Sequence, residues 1–166
     1  MLRLAVADHR GLVVDPREVA RAGKSYTVLT LEELRQEAPQ RPLLLLVGAD
    51  AFLGLPTWHR WRELFTLAHV VVAARPGVAL TPAGELAPEW KSRLVDRPDP
   101  LFSSPAGTIY EQAIAPQPIS ATAIRAQLAR GAAGREAVRP LLPAAVLRYI
   151  DQHDLYSDRA HPQDAT

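Results

Sequence analysis

Leu43-Leu44-Leu45-Leu46-Val47-Gly48-Ala49-Asp50 is the stretch on which the fold is decided. Residues 43–47 are aliphatic without a break. A run with no polar alternation fits a strand of a parallel sheet covered on both faces. Gly48-Ala49-Asp50 then reads as the turn that ends it. A second run of the same kind, residues 69–74, closes at Arg75-Pro76-Gly77, and residues 108–114 form a third strand candidate. Helical patterns lie between and beyond these strands. Residues 29–37 follow a cap at Ser25 or Thr27 and are closed off by Pro39 and Pro42. Residues 61–67 fit a short helix. Residues 120–130 start at Ser120 and stop at Gly131, and a last helix runs from about Pro143 to His153. Helices alternating with apolar strands define an α/β fold with a parallel sheet.

The flanks are read more coarsely. Residues 1–9 look like the end of an amphipathic helix, and Leu12-Val13-Val14 is a short strand candidate. Residues 76–105, rich in Pro, Gly and charge, form a long excursion with a helical turn near Trp90. Residues 1–156 are expected to form a single domain and 157–166 a frayed, disordered tail.

Composition narrows the function classes. The 166 residues carry a net charge of +1, so no basic field points to a nucleic acid polymer. Arginine supplies 17 of the 19 basic residues, which gives forked donors suited to phosphate. Cysteine is absent, which removes disulfides, thiolate catalysis and Cys-ligated zinc. The five histidines are scattered, and no His/Asp/Glu set has metal-ligand spacing. No Gly-x-Ser-x-Gly elbow supports a hydrolase. The longest apolar run is too short to cross a bilayer and the N-terminus has no signal-peptide pattern, so a cytoplasmic location without membrane contact is expected.

Several short segments could carry chemistry. In Ile119-Ser120-Ala121-Thr122-Ala123-Ile124-Arg125 a helix start offers free N–H groups, the hydroxyls of Ser120 and Thr122, and Arg125 able to fold back. That set suits an anion, and equally a plain N-cap with a solvated arginine. Gly48 after a buried strand lets a ligand approach the backbone, and Asp50 can hold ribose hydroxyls. The bland alternative is a tight turn. In Pro56-Thr57-Trp58-His59-Arg60-Trp61, Trp58 can stack on an electron-poor ring, whereas Trp61 is read as core. His59 could serve as a base or stand as a surface residue. Arg75 suits a phosphate clamp or a structural ion pair. Ser25-Tyr26-Thr27 could meet ligand through a hydroxyl or an amide, or simply begin a helix.

The order and spacing of these segments resemble the bacterial nicotinate-nucleotide adenylyltransferases. The likeness also takes in Arg21-Ala22-Gly23-Lys24-Ser25-Tyr26-Thr27, Ala68-His69-Val70-Val71-Val72-Ala73-Ala74-Arg75-Pro76-Gly77 and Leu142-Pro143-Ala144-Ala145-Val146-Leu147-Arg148-Tyr149-Ile150. The resemblance implies a Rossmann-like nucleotidylyltransferase fold. It implies transfer of the adenylyl group of ATP to nicotinate mononucleotide, with Mg²⁺, giving deamido-NAD and pyrophosphate by direct in-line attack. By the same resemblance Gly48, Asp50, Arg75, Ser120, Thr122 and Arg125 would bind ATP, while Thr27, Trp58 and His59 would bind the mononucleotide. The family's glycine-rich first strand and His-x-Gly-His helix start would precede residue 1. His9 lies in Asp8-His9-Arg10-Gly11, which does not match, so no catalytic residue is assigned and the chain as written is expected to be inactive. A non-catalytic nucleotide- or partner-binding relative of the same fold is the alternative.

Overall fold

A computed structural model describes residues 1–75, 77, 79–115, 117 and 119–157. In chain order its principal elements are α1 (Leu2–Val6), α2 (Arg17–Ala20), α3 (Thr27–Glu37), β1 (Leu44–Gly48), α4 (Ala49–Leu53), α5 (Leu64–Leu67), β2 (His69–Ala74), α6 (Leu86–Arg93), β3 (Leu94–Val95), β4 (Ile109–Ala113), α7 (Ala121–Ala129), α8 (Ala132–Val138) and α9 (Ala144–Gln152). They fall into two compact units. One comprises Pro16–Pro116, and the other Met1–Asp15 with Gln117–Thr166. The tail expected from residue 157 lies, beyond Ser157, outside the described residues.

The larger unit is built on a four-stranded, all-parallel sheet of order β1-β2-β4-β3. Parallel strands need crossover connections, and helices supply them here. The core gathers Val28 and Leu31 of α3, Phe52 of α4, Leu55, Trp61, Leu64 and Phe65, with Val70, Val72 and Ile109 from the sheet. β2 ends where the sequence placed it, because Arg75-Pro76-Gly77 cannot continue a ladder.

β1 departs from expectation. Its apolar run predicted cover on both faces, yet Leu44 and Leu46 are 42% and 67% exposed while Val47 is buried. Successive side chains point to opposite faces. The Leu44/Leu46 face is therefore open at this edge, and among the described residues β1 pairs only with β2.

At the amino ends of the strands, polar side chains tie the loops together. The Arg35 guanidinium donates to the carbonyls of Leu67 (2.6 Å), Pro105 (2.7 Å), Arg41 (2.8 Å), Pro39 (3.1 Å) and Ala38 (3.2 Å). His69, fully buried, accepts the Thr108 N–H at Nδ1 (3.1 Å) and so donates from Nε2 to the Ser104 carbonyl (2.8 Å). The buried imidazole thus has both nitrogens satisfied and serves the fold.

The expected cap of α3 is corrected. Thr27 is its first residue and Tyr26 stands at the N-cap without a side-chain bond, while Ser25 Oγ donates to the Glu18 carbonyl at 2.9 Å. Residues 12–14 form no strand. Val13 is 88% exposed and has no ladder partner among the described residues. The 76–105 excursion holds α6, which contains the turn expected near Trp90 and is longer than it, and the two-residue β3, which a Pro-rich composition concealed.

In the smaller unit, Leu128, Val138, Val146 and Ile150 form a core against which Ala5, Ile124, Leu142 and Leu147 pack. α9 places Val146 and Ile150 on one face at the helical spacing of four. α8 lies just past Gly131, where a stop was expected. A Cβ at Gly134 would sit 1.7 Å from the Gln127 carbonyl, so this glycine permits the close approach of α8 to α7.

Candidate active site

Within the sheet unit, a cavity of about 400 Å³ opens at the carboxyl ends of the strands, lined by Ala49, Asp50, Ala73, Ala74, Arg75, Leu80 and Ile114. β1 delivers Asp50 through the first turn of α4, β2 delivers Arg75, and β4 leads to Ile114. Ligands of open α/β sheets bind at such an edge. Gly48 caps α4 with φ of −71°, a conformation open to any residue. What distinguishes it is space, since a Cβ built there meets no atom within 4 Å. The backbone is open on that side. Arg75 makes no hydrogen bond or ion pair among the described residues. That argues against the structural ion pair and leaves a forked cation available to an anion.

A second cleft in the same unit, of about 270 Å³, is lined by Ser25, Tyr26, Thr27, Thr57, Trp58 and His59. One wall is the amino end of α3, where unpaired N–H groups carry a partial positive charge. The other wall is the loop after α4. A 3₁₀ turn, Leu55–Thr57, holds Trp58 through its N–H to the Leu55 carbonyl at 2.8 Å. Trp58 is half-buried against the core and lends its remaining face to the cleft, whereas Trp61 is buried and meets Phe65 edge-on at 6.2 Å. His59 is exposed and lies against the Tyr26 ring, centroids 4.2 Å apart. Thr27, Trp58 and His59 are therefore brought together.

Arg60 closes this loop. It adopts the left-handed conformation at φ 53°. Its guanidinium donates to Glu63 through Nε (2.8 Å) and Nη2, and to Glu32 of α3 through Nη2 (2.6 Å). The Arg60 bond, foremost, holds the Glu63 carboxyl below its usual range, and the two carboxylates raise Arg60 further above its own.

In the other unit, Ser120 caps α7, its Oγ accepting the Ala123 N–H at 3.0 Å. Arg125 folds back to Thr122 Oγ1 at 3.4 Å, and all three side chains are exposed. The helix start thus keeps N–H groups, two hydroxyls and a guanidinium at one end. Ser120 also borders a cleft of about 220 Å³ formed with Ile124, Val138 and Leu141.

The sequence did not single out Ala73, Ala74, Leu80 or Ile114 as cavity lining, nor Arg60. Small or apolar liners carry no chemical signature. The clue for Arg60 was Glu63 three residues on, a common surface spacing. Among the described residues no group of three His, Asp or Glu could hold a metal ion, and no helix is long and apolar enough to cross a membrane.

Fold and strand-end cavity are those of an open α/β ligand-binding protein, and the cytidylyltransferase-like family, which matches residues 1–127, makes it one of the nucleotidylyltransferase type. The probable nicotinate-nucleotide adenylyltransferase of Stenotrophomonas maltophilia is 48% identical over 164 residues, covering 94% of this chain and 72% of that protein. Its counterpart from Dechloromonas aromatica is 48% identical over 160 residues, with the same coverage of 94% and 72%. The chain belongs to the nicotinate-nucleotide adenylyltransferase family. Among solved structures, Plasmodium falciparum nicotinic acid mononucleotide adenylyltransferase complexed with APC shares the fold at a TM-score of 0.52 and 15% identity. That match covers 81% of this chain and 60% of the other, so the chain spans about three fifths of that protein.

Proposed function

We propose that the protein serves adenylyl transfer from ATP to nicotinate mononucleotide in NAD biosynthesis, and that this chain supplies the binding of both substrates in the cytoplasm. A phosphate oxygen of the mononucleotide attacks the α-phosphorus of ATP. The bond to pyrophosphate breaks, and deamido-NAD forms without a covalent enzyme intermediate. Catalysis of this kind is positioning plus charge stabilisation. Mg²⁺ enters as MgATP.

In this reading Gly48 and Asp50 face the adenosine ribose and Arg75 meets phosphate at the strand-end cavity. Ser120, Thr122 and Arg125 donate to the ATP phosphates. Trp58 stacks on the pyridine ring, and amides at Thr27 and His59 take its carboxylate. The observation that carries the reading is the presence, on one sheet unit, of a cavity with an uncommitted arginine and of an aromatic cleft at a helix amino end. Calorimetric titration of the chain with nicotinate mononucleotide and with MgATP tests it. Saturable binding of each is expected. Failure of the mononucleotide to bind would overturn the assignment of the aromatic cleft.

A further inference from the structure

The two walls of the aromatic cleft come from segments far apart in sequence, and something must fix their separation. Among the described residues, one polar side-chain bond joins α3 to the 57–63 segment, the bond from Arg60 to Glu32. The same guanidinium engages Glu63. Arg60 follows His59 directly, and its left-handed backbone turns the chain there. That conformation is strained for a non-glycine residue. Exposed ion pairs of this type add little to stability. The clamp is therefore a poor device for holding the fold and a suitable one for holding a gap. It also has an electrostatic side. Glu63 lies four residues past His59, and Glu32 sits on the helix that forms the opposite wall. Without Arg60, two unneutralised carboxylates would stand on the two segments that wall a cleft assigned to a ring bearing a carboxylate.

We infer that Arg60 is a positioning and selectivity residue of the mononucleotide cleft, setting the gap between Thr27 and Trp58-His59 and screening Glu32 and Glu63 from the ligand's carboxylate. The inference rests on the assignment of that cleft to nicotinate mononucleotide. It makes a demand that a merely structural role does not. Loss of Arg60 must penalise a ring bearing a carboxylate more than one bearing a neutral amide.

The test is titration of the full chain with nicotinate mononucleotide and, separately, nicotinamide mononucleotide, followed by tryptophan fluorescence. Arg60→Asn is the informative variant, because asparagine tolerates the left-handed conformation and keeps the backbone turn. Nicotinate mononucleotide affinity should fall about fivefold beyond any change for the amide, the scale of one charge about 4 Å away in bulk water. The melting temperature should stay near that of the parent. Adding Glu32→Gln to Arg60→Asn should recover part of the loss. Equal losses for both ligands, or no loss, would overturn the inference while leaving the cleft assignment standing. A parent chain that binds neither ligand would remove both.

Discussion

β1 and β2 are both mostly aliphatic, paired in parallel from Leu44↔His69 to Gly48↔Ala73, and they end in opposite conditions. β2 lies between β1 and β4 with Val70 and Val72 fully buried. β1 has one neighbour among the described residues and turns Leu44 and Leu46 to solvent. The exposure fades across the ladder, for Val71, opposite Leu46, is already half-buried. Composition decides that a segment will be a strand of a parallel sheet. Its neighbours decide whether its apolar faces are used. The curated relatives are longer than this chain, which covers 72% of the first two. Both strands nonetheless lead at their carboxyl ends to residues of the proposed ATP site, so the comparison bears on function as well as stability.

The largest effect expected is on turnover. No His-x-Gly-His occurs in the 166 residues, and losing a single charge-stabilising donor already costs about 10²–10³ in rate. Pyrophosphate release by the chain should lie at least about a hundredfold below that of the chain extended upstream with a relative's strand–helix unit bearing this motif. If that unit pairs with β1, the extension should also protect the β1 amides from exchange. Equal rates with and without it would break the link between an open edge and lost chemistry.

Next comes the contrast in burial itself. Val72→Asp places an unpaired charge in the core and should cost more than about 4 kcal/mol, abolishing a cooperative melt. Leu46→Lys, on the open face, should lie within about 0.5 kcal/mol of the parent and reduce self-association on size-exclusion chromatography. If the lysine unfolds the chain, the exposed face of β1 is covered in solution and the asymmetry is false.

The strand ends sharpen the point. Arg75→Ala and Arg125→Ala should each weaken MgATP binding by about 1.5–3 kcal/mol, the worth of hydrogen bonds to a charged group, with the melting temperature little changed. The smallest effect on binding belongs to Trp58→Ala, about 1–2 kcal/mol, and it should fall on the mononucleotide rather than on ATP. A variant that melts earlier but binds the mononucleotide as before would return Trp58 to a packing role.

Much of this was legible in the sequence because it rests on local chemistry. The ends of β2 follow from an apolar run meeting Arg75-Pro76-Gly77, and the cap of α7 from Ser120 ahead of a helical stretch. The open face of β1 was not legible, since an all-apolar run carries no period that distinguishes its faces. β3 is two residues inside a Pro-rich excursion, too short to leave a pattern. α8 was hidden by Gly131 and Gly134, where one glycine turns the chain and the other yields room to a neighbouring carbonyl. The identities of Asp50, Arg75, Trp58 and Ser120 were visible as candidates. Their grouping into separate clefts, and the bond from Arg60 to Glu32, depend on contacts between distant segments that no window of sequence contains.

The Arg35 guanidinium has a kinetic meaning. Its carbonyl partners include Leu67, 32 residues away, and Pro105, 70 residues away. These bonds cannot exist until α3, the end of α5 and the 105 loop have met. If they form only after the folding barrier is crossed, Arg35→Ala should speed unfolding more than it slows refolding, which rates measured in denaturant would show. Lysine, with one point charge in place of a planar fork, could not span those five carbonyls.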